Sequence, residues 1–126
     1  MIPDAGLLAA IDRGESTAHS FLTAALQEGA ALRTTAPVVA QVWRDGSRQA
    51  KLAKFLESVE IPDFTLADAP VVGGLLRRSQ TSDVVDAHIV ALALRLDDSI
   101  ITADTPDFSA LTSHLGHKAP HIHPWP

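Results

Sequence analysis

Apolar residues along the chain recur mostly at helical spacing, in blocks separated by short β-branched runs. The most sustained block is "TSDVVDAHIVALALRLDD", where Val85, Ile89, Leu92 and Leu96 form one row flanked by Val90, Ala93 and Leu94. "AGLLAAIDRG" has helical spacing with Gly14 as its stop, and "TAHSFLTAALQEG" carries a Phe21, Ala25 and Leu26 stripe, with Ser16 or Thr17 as cap and Gly29 as closure. "PVVAQVWRDG" predicts a helix from Pro37 to Asp45 and Gly46, followed by a second in "SRQAKLAKFLES", where lysines alternate with Leu52, Phe55 and Leu56. "LADAPVVGGLLRRS" has a helical pattern interrupted by Pro70, Gly73 and Gly74. A last helix starts at Pro106 in "PDFSALTSHLG".

The runs between these blocks predict strands: "MIPD", "AALRTT", "VEIPDFTL" (broken by Pro62) and "SIIT". "APHIHPWP" reads as a closing edge strand or a proline-broken tail. Short strands alternating with helices imply right-handed crossovers, hence a three-layer α/β/α domain with a short, mostly parallel central sheet. With no repeat, linker or low-complexity tract, residues 1–126 are expected to make a single domain. In such sheets polar groups gather at the carboxyl ends of the strands.

Composition narrows the classes. The 126 residues are 46% hydrophobic and 20% charged, as expected for a globular chain. The absence of cysteine excludes disulfides, zinc–cysteine sites and cysteine nucleophiles. No apolar run approaches the about 18 residues that a membrane span requires, and no basic segment precedes the first apolar one. A cytoplasmic protein without a membrane partner is therefore expected. The net charge of −5 opposes loose attraction to nucleic acid, unless the acids are gathered into a site that cations cover.

The acids are distributed in a way that makes such a site plausible on chemical grounds. Asp4 directly follows the first apolar segment and Asp104 follows "SIIT", so if both are parallel strands their carboxylates arrive at the same edge. Asp86 lies on the flank of a buried helical stripe, where a carboxylate must be paired, protonated or bound to a metal. A plainer reading competes: Asp83 and Asp86 can serve as cap and first-turn acid, and Asp104 or Thr105 can cap the helix at Pro106 with Asp107 as its first-turn acid. Asp4 has less structural excuse. Taken together, convergent carboxylates suit a hard cation, Mg²⁺ or Mn²⁺, which can polarise a phosphodiester oxygen and activate water.

"MIPDAGLLAAIDRG", "TSDVVDAHIVALALRL" and "IITADTPDFSAL" resemble the three acidic motifs of PIN-domain proteins, and most closely the VapC-type toxins of prokaryotic toxin–antitoxin pairs. The resemblance implies a metal-dependent endoribonuclease, commonly a homodimer restrained by a small cognate antitoxin. It assigns Asp4, Asp86 and Asp104 as catalytic metal ligands, with Asp107 as an accessory acid near the ion. Where the family commonly places a glutamate, this chain has Gln41, which can donate a carbonyl oxygen or hold a water but carries no charge. A catalytically degenerate domain that acts by partner binding, or a DNA-directed nuclease, are the alternatives. Pro3 also lacks the backbone donor a central strand would use.

Arg44 and Arg48, beside Trp43, are candidate contacts to RNA phosphates, while Lys51 and Lys54 fit a solvated helix face. Thr102 is the hydroxyl expected closest to the acids, with Ser16, Thr34, Thr81 and Ser82 as further candidates. His114, His117, His121 and His123 fit no closed zinc spacing. A late transition-metal site is the competing reading, since His114 and His117 would share a helical face and His121 and His123 a strand face, but a loose tail or a partner-facing edge is expected there.

Overall fold

The computed structural model describes Met1–Pro126 and places three parallel strands, β1 (Ile2–Pro3), β2 (Ile100–Thr102) and β3 (Ile122–Pro124), in the order β1-β2-β3. Ile2 pairs with Ile100 and Ile100 with Ile122, so the last segment is an ordered strand rather than a loose tail. The helices are α1 (Ala5–Asp12), α2 (Ser16–Gln27), α3 (Ala36–Val42), α4 (Ala50–Leu56), α5 (Asp68–Ser79), α6 (Val84–Leu96) and α7 (Thr105–Thr112), with 3₁₀ turns at Gly46–Arg48 and Ser113–Lys118. This is the mixed, mostly parallel α/β/α architecture expected of a PIN-like fold. No helix is long and apolar enough to cross a membrane.

Two of the expected strands are reduced to almost nothing, and proline chemistry accounts for part of this. "AALRTT" and "VEIPDFTL" meet only at a single parallel bridge between Arg33 and Glu60. Arg33 donates its amide to the Met1 carbonyl at 3.0 Å, which is one of the two bonds that would join it to β1. In a parallel ladder the second would run from the amide of residue 3 to the carbonyl of residue 33, and Pro3 has no N–H to donate. On its other side β1 is unaffected, because Ile2 donates to Ser99 and Asp4 to Ile101, and residue 3 donates to neither.

The sheet separates two apolar clusters, as the alternation of a strand requires. Ile2 and Ile100 turn toward Val72, Leu75, Phe108 and the buried row of α6. Ile101 and Trp125 turn the other way, toward Leu7, Ile11 and Leu22 of α1 and α2. The longest predicted helix is the most deeply set: Ala87 through Ala93 of α6 are all buried. Its ends are closed locally, with Asp83 Oδ1 accepting from the Asp86 amide at 3.0 Å and Asp97 taking a left-handed conformation at φ 51°.

Two helices differ from their sequence pattern. α3 stops at Val42 instead of reaching Asp45, and Trp43 is already extended. The side chain of Gln49 forces this break. Its amide oxygen accepts from the amides of Arg44 and Asp45 at 2.7 and 3.0 Å, and its NH₂ donates to the Val42 carbonyl and to Asp12. By contrast α5 runs unbroken through Gly73 and Gly74, with Pro70 in its first turn, where its missing N–H is harmless.

Phe108 is 1% exposed and joins α7 to the larger cluster. Phe108→Ala is expected to destabilise the chain by about 3–5 kcal/mol, measured as a shift in the denaturant midpoint at constant slope.

Candidate functional site

Because β1 and β2 are adjacent and parallel, the residues that follow them emerge side by side. Asp4 leaves β1 as the N-cap of α1, with Oδ1 accepting from the Leu7 amide at 3.0 Å. Asp4 thus has the structural role that its sequence context seemed to deny it, and it is 7% exposed. Asp104 occupies the corresponding place before α7 but makes no capping bond with its side chain, so the reading of Asp104 as a helix cap is not realised. The buried hydroxyl of Thr102 joins the two. It donates to Asp4 Oδ2 at 2.5 Å and accepts from the Asp104 amide at 2.8 Å.

Asp86 reaches the same region from the first turn of α6. Burial pushes its carboxyl up to about 7, reinforced by the charges of Asp83, Asp4, Asp107 and Asp104. Asp107, fully exposed, hydrogen-bonds to the Asp104 carboxyl and is likewise raised, chiefly by that bond and by the Asp104 charge. Like charges held in mutual range either spread apart or favour a proton, and Asp86 and Asp107 are both raised. The structure therefore brings Asp4, Asp86, Asp104 and Asp107 within electrostatic reach of one another. No three acidic or imidazole groups converge closely enough to hold one metal ion.

Asp83 is the member that the sequence reading left out. It was visible as a cap three residues before Asp86, and it does cap α6, yet its charge also acts on Asp86 and Asp107. With Thr81, Ser82, Asp86, Asp107, Ala110 and Leu111 it lines a cleft of about 260 Å³. Thr81 and Ser82 therefore lie where candidate hydroxyls were expected. Thr34 is buried with its hydroxyl unpartnered, and Ser16 lines a different groove.

The remaining candidates sit on or just after α3. Gln41 is exposed near the end of that helix. Arg44 folds its guanidinium back onto the carbonyls of Ala40 and Trp43 at 3.0 and 2.7 Å, closing the helix C-terminus. Arg48 is exposed and forms only a loose pair with Asp45 at 3.7 Å. Trp43, 38% exposed, lies over Gly46 so closely that a Cβ there would meet its ring at 2.7 Å. Trp43 is therefore held in place as an exposed aromatic face between the two arginines in sequence.

One buried imidazole shares α6 with Asp86. His88 is 1% exposed, its ring nitrogens have no hydrogen-bond partner, and burial lowers its pKa despite Asp68 at 3.5 Å. Asp68 is itself lowered, mainly by the hydrogen bond from the Thr65 amide.

These shifts fix the sign of a pH effect. An acid held at about 7 in the folded chain and at about 3.9 when unfolded keeps a proton that the unfolded chain releases. Stability from Asp86 is complete below the lower value and declines as pH rises through the window between the two. The lowered His88 acts oppositely, since the unfolded chain binds its proton first. Comparing Asp86→Asn with the wild type isolates the acid: the variant's advantage in melting temperature should grow between about pH 4 and about pH 7. An advantage independent of pH would place the Asp86 titration in the ordinary carboxylate range.

No protein-family model matches the sequence, and no curated protein matches it. Among solved structures, a chain of VapBC2 from Rickettsia felis, crystallised bound to a DNA fragment from their promoter, is similar with a TM-score of 0.72 and 17% identity. The match covers 99% of this chain and 98% of that one. At that identity the likeness concerns the fold, which is shared from end to end with a protein of a VapBC pair and accords with the PIN-like architecture expected from the acidic motifs.

Proposed function

We propose that the chain is a metal-dependent endoribonuclease acting as the toxin of a toxin–antitoxin pair. The observation that carries this reading is the gathering of Asp4, Asp86, Asp104 and Asp107 at the carboxyl edge of β1 and β2, where burial first, and then the charges of the other acids, raise Asp86 to about 7. A purely structural set of caps would not need to bear that repulsion. The donor set is all carboxylate oxygen, with no imidazole or sulfur among it, and so fits Mg²⁺ or Mn²⁺ better than a softer ion.

Asp4, Asp86 and Asp104, which do not converge on one point here, would have to close on the cation to hold it, with Asp107 beside them. When bound, Mg²⁺ would polarise a phosphodiester oxygen and lower the pKa of a bound water. The chain's own residues do the positioning. Thr102 orients the Asp4 carboxylate and the Asp104 backbone together. With its carboxyl raised to about 7, Asp86 is partly protonated near neutral pH, and a nearby positive charge would favour its ionised form, so its site would gain charge when RNA and cation arrive. Arg48 and the Trp43 face are available to a phosphate and a base, whereas Arg44 must first leave its helix carbonyls.

A second reading, a degenerate domain that acts by binding partners, is favoured by Gln41, and a groove on another face would serve either reading. That groove, of about 760 Å³, has a floor of Ile11, Leu22 and Phe55 and a rim that includes Lys51, Lys54 and Glu57. It suits the apolar side of a helix from a small antitoxin with acidic flanks. Such a partner, together with a homodimer in the cytoplasm, belongs equally to the nuclease reading; the degenerate reading differs only in lacking catalysis. A DNA-directed nuclease is the remaining alternative, decided by offering matched RNA and DNA strands.

The test is cleavage of a mixed RNA pool by partner-free protein with Mg²⁺, with Mn²⁺ and with chelator. Asp104→Asn is the informative variant because its side chain caps no helix. Cleavage should stop with chelator and fall by at least about 100-fold in the variant, with circular dichroism unchanged. Cleavage that survives the substitution would remove the proposed site. Gln41→Glu should lower the Mg²⁺ concentration needed for half-maximal cleavage, since it adds a charged ligand; an unchanged requirement would detach Gln41 from the site.

A further inference from the structure

The closing strand carries a second constellation that the acids do not use. His121 and His123 flank Ile122 on β3, so the strand's alternation puts both imidazoles on one face. Their ring centroids are 4.2 Å apart with the planes at 77°, and both residues are exposed. The backbone beneath them is pinned at both ends. Ile100 donates to the His121 carbonyl at 2.9 Å, Trp125 donates to the Thr102 carbonyl at 2.8 Å, and the Trp125 side chain is buried in the smaller cluster.

We propose that His121 and His123 form a two-imidazole chelate for a late first-row divalent cation, such as Ni²⁺, Cu²⁺ or Zn²⁺, with water completing the coordination. Two neutral imidazoles are borderline-soft nitrogen donors, which these ions accept and Mg²⁺ does not favour. A rigid strand holds the second ligand near the first, so its binding becomes effectively intramolecular. The edge-on arrangement of the rings does not oppose this, because the outer torsion of histidine is broad and lets one nitrogen of each ring turn toward a common point. The site is chemically separate from the carboxylate cluster: nitrogen against oxygen donors, and β3 against β1 and β2. A late metal would bind here while Mg²⁺ occupies the acids.

Calorimetric titration of the full chain with Ni²⁺ and with Zn²⁺, in excess Mg²⁺, tests this. One ion per chain should bind, and either His121→Ala or His123→Ala should weaken it by about 10- to 100-fold. A His114→Ala/His117→Ala double variant should bind as the wild type does. In ¹H–¹⁵N imidazole spectra, Zn²⁺ should shift the signals of His121 and His123 together. Absence of binding, binding that survives both single variants, or loss of binding in that control would overturn the proposal.

Discussion

The buried hydroxyl of Thr102 is the joint on which the acidic edge depends. It lies at the end of β2, between the end of β1 and the start of α7, and it satisfies one group from each: the Asp4 carboxylate and the Asp104 amide. A hydroxyl can do both at once because it has a proton to give and lone pairs to receive. A valine of similar shape would leave a buried carboxylate oxygen and an amide without partners, at a cost of about 1–3 kcal/mol for each group. The same atom thus fixes the parallel register locally and the relative placement of Asp4 and Asp104, although Thr102 lies 98 residues from Asp4 in sequence.

The acids themselves work against the fold. Asp83 stabilises α6 as its cap, worth about 1 kcal/mol, and at the same time its charge adds to the repulsion that raises Asp86. Asp4 has the same double character, since it caps α1 and repels Asp86. What tolerates this is the unbroken buried row of α6 and its packing against Ile100 and Phe108. Capping and ligand readings of such residues therefore do not compete. A helix N-terminus holds a carboxylate still, and a carboxylate held still at a strand end is available to act on whatever else is placed there.

Much of this was readable from residue pattern. The α6 row, the buried "SIIT" run and the prolines at helix starts follow from local rules, and each formed as expected. Where pattern failed, the cause was a long-range or backbone-level interaction. The two middle strands shrank to a single bridge next to a proline that cannot donate, although β propensity alone supported them. α3 ended early because a buried glutamine seven residues past Val42 captured its terminal groups, and nothing in the helical spacing announces Gln49. The acidic edge was visible only through topology, from two acids following two strands. The identity of the true cap was not, because Asp4 and Asp104 look alike until the turn after each is built. Asp83 was overlooked because its cap role seemed to exhaust it.

Helix α1 constrains how the two faces of the molecule can influence each other. Its eight residues span about 12 Å, with Asp4 at the acidic edge and Ile11 and Gly14 at the apolar groove on the far side. Leu7 and Ala10 are fully buried, and the helix is tied at its start to β1 and Thr102, so it is closely held in place. Lys51, on α4, places its ammonium against Gly14 at the edge of the groove. A partner seated in the groove would thus have little leverage on the acids through α1 itself. Restraint of the acidic edge by such a partner would have to come from the partner's own chain reaching across to it, since a bistable element is what long-range coupling requires and none is present along this path.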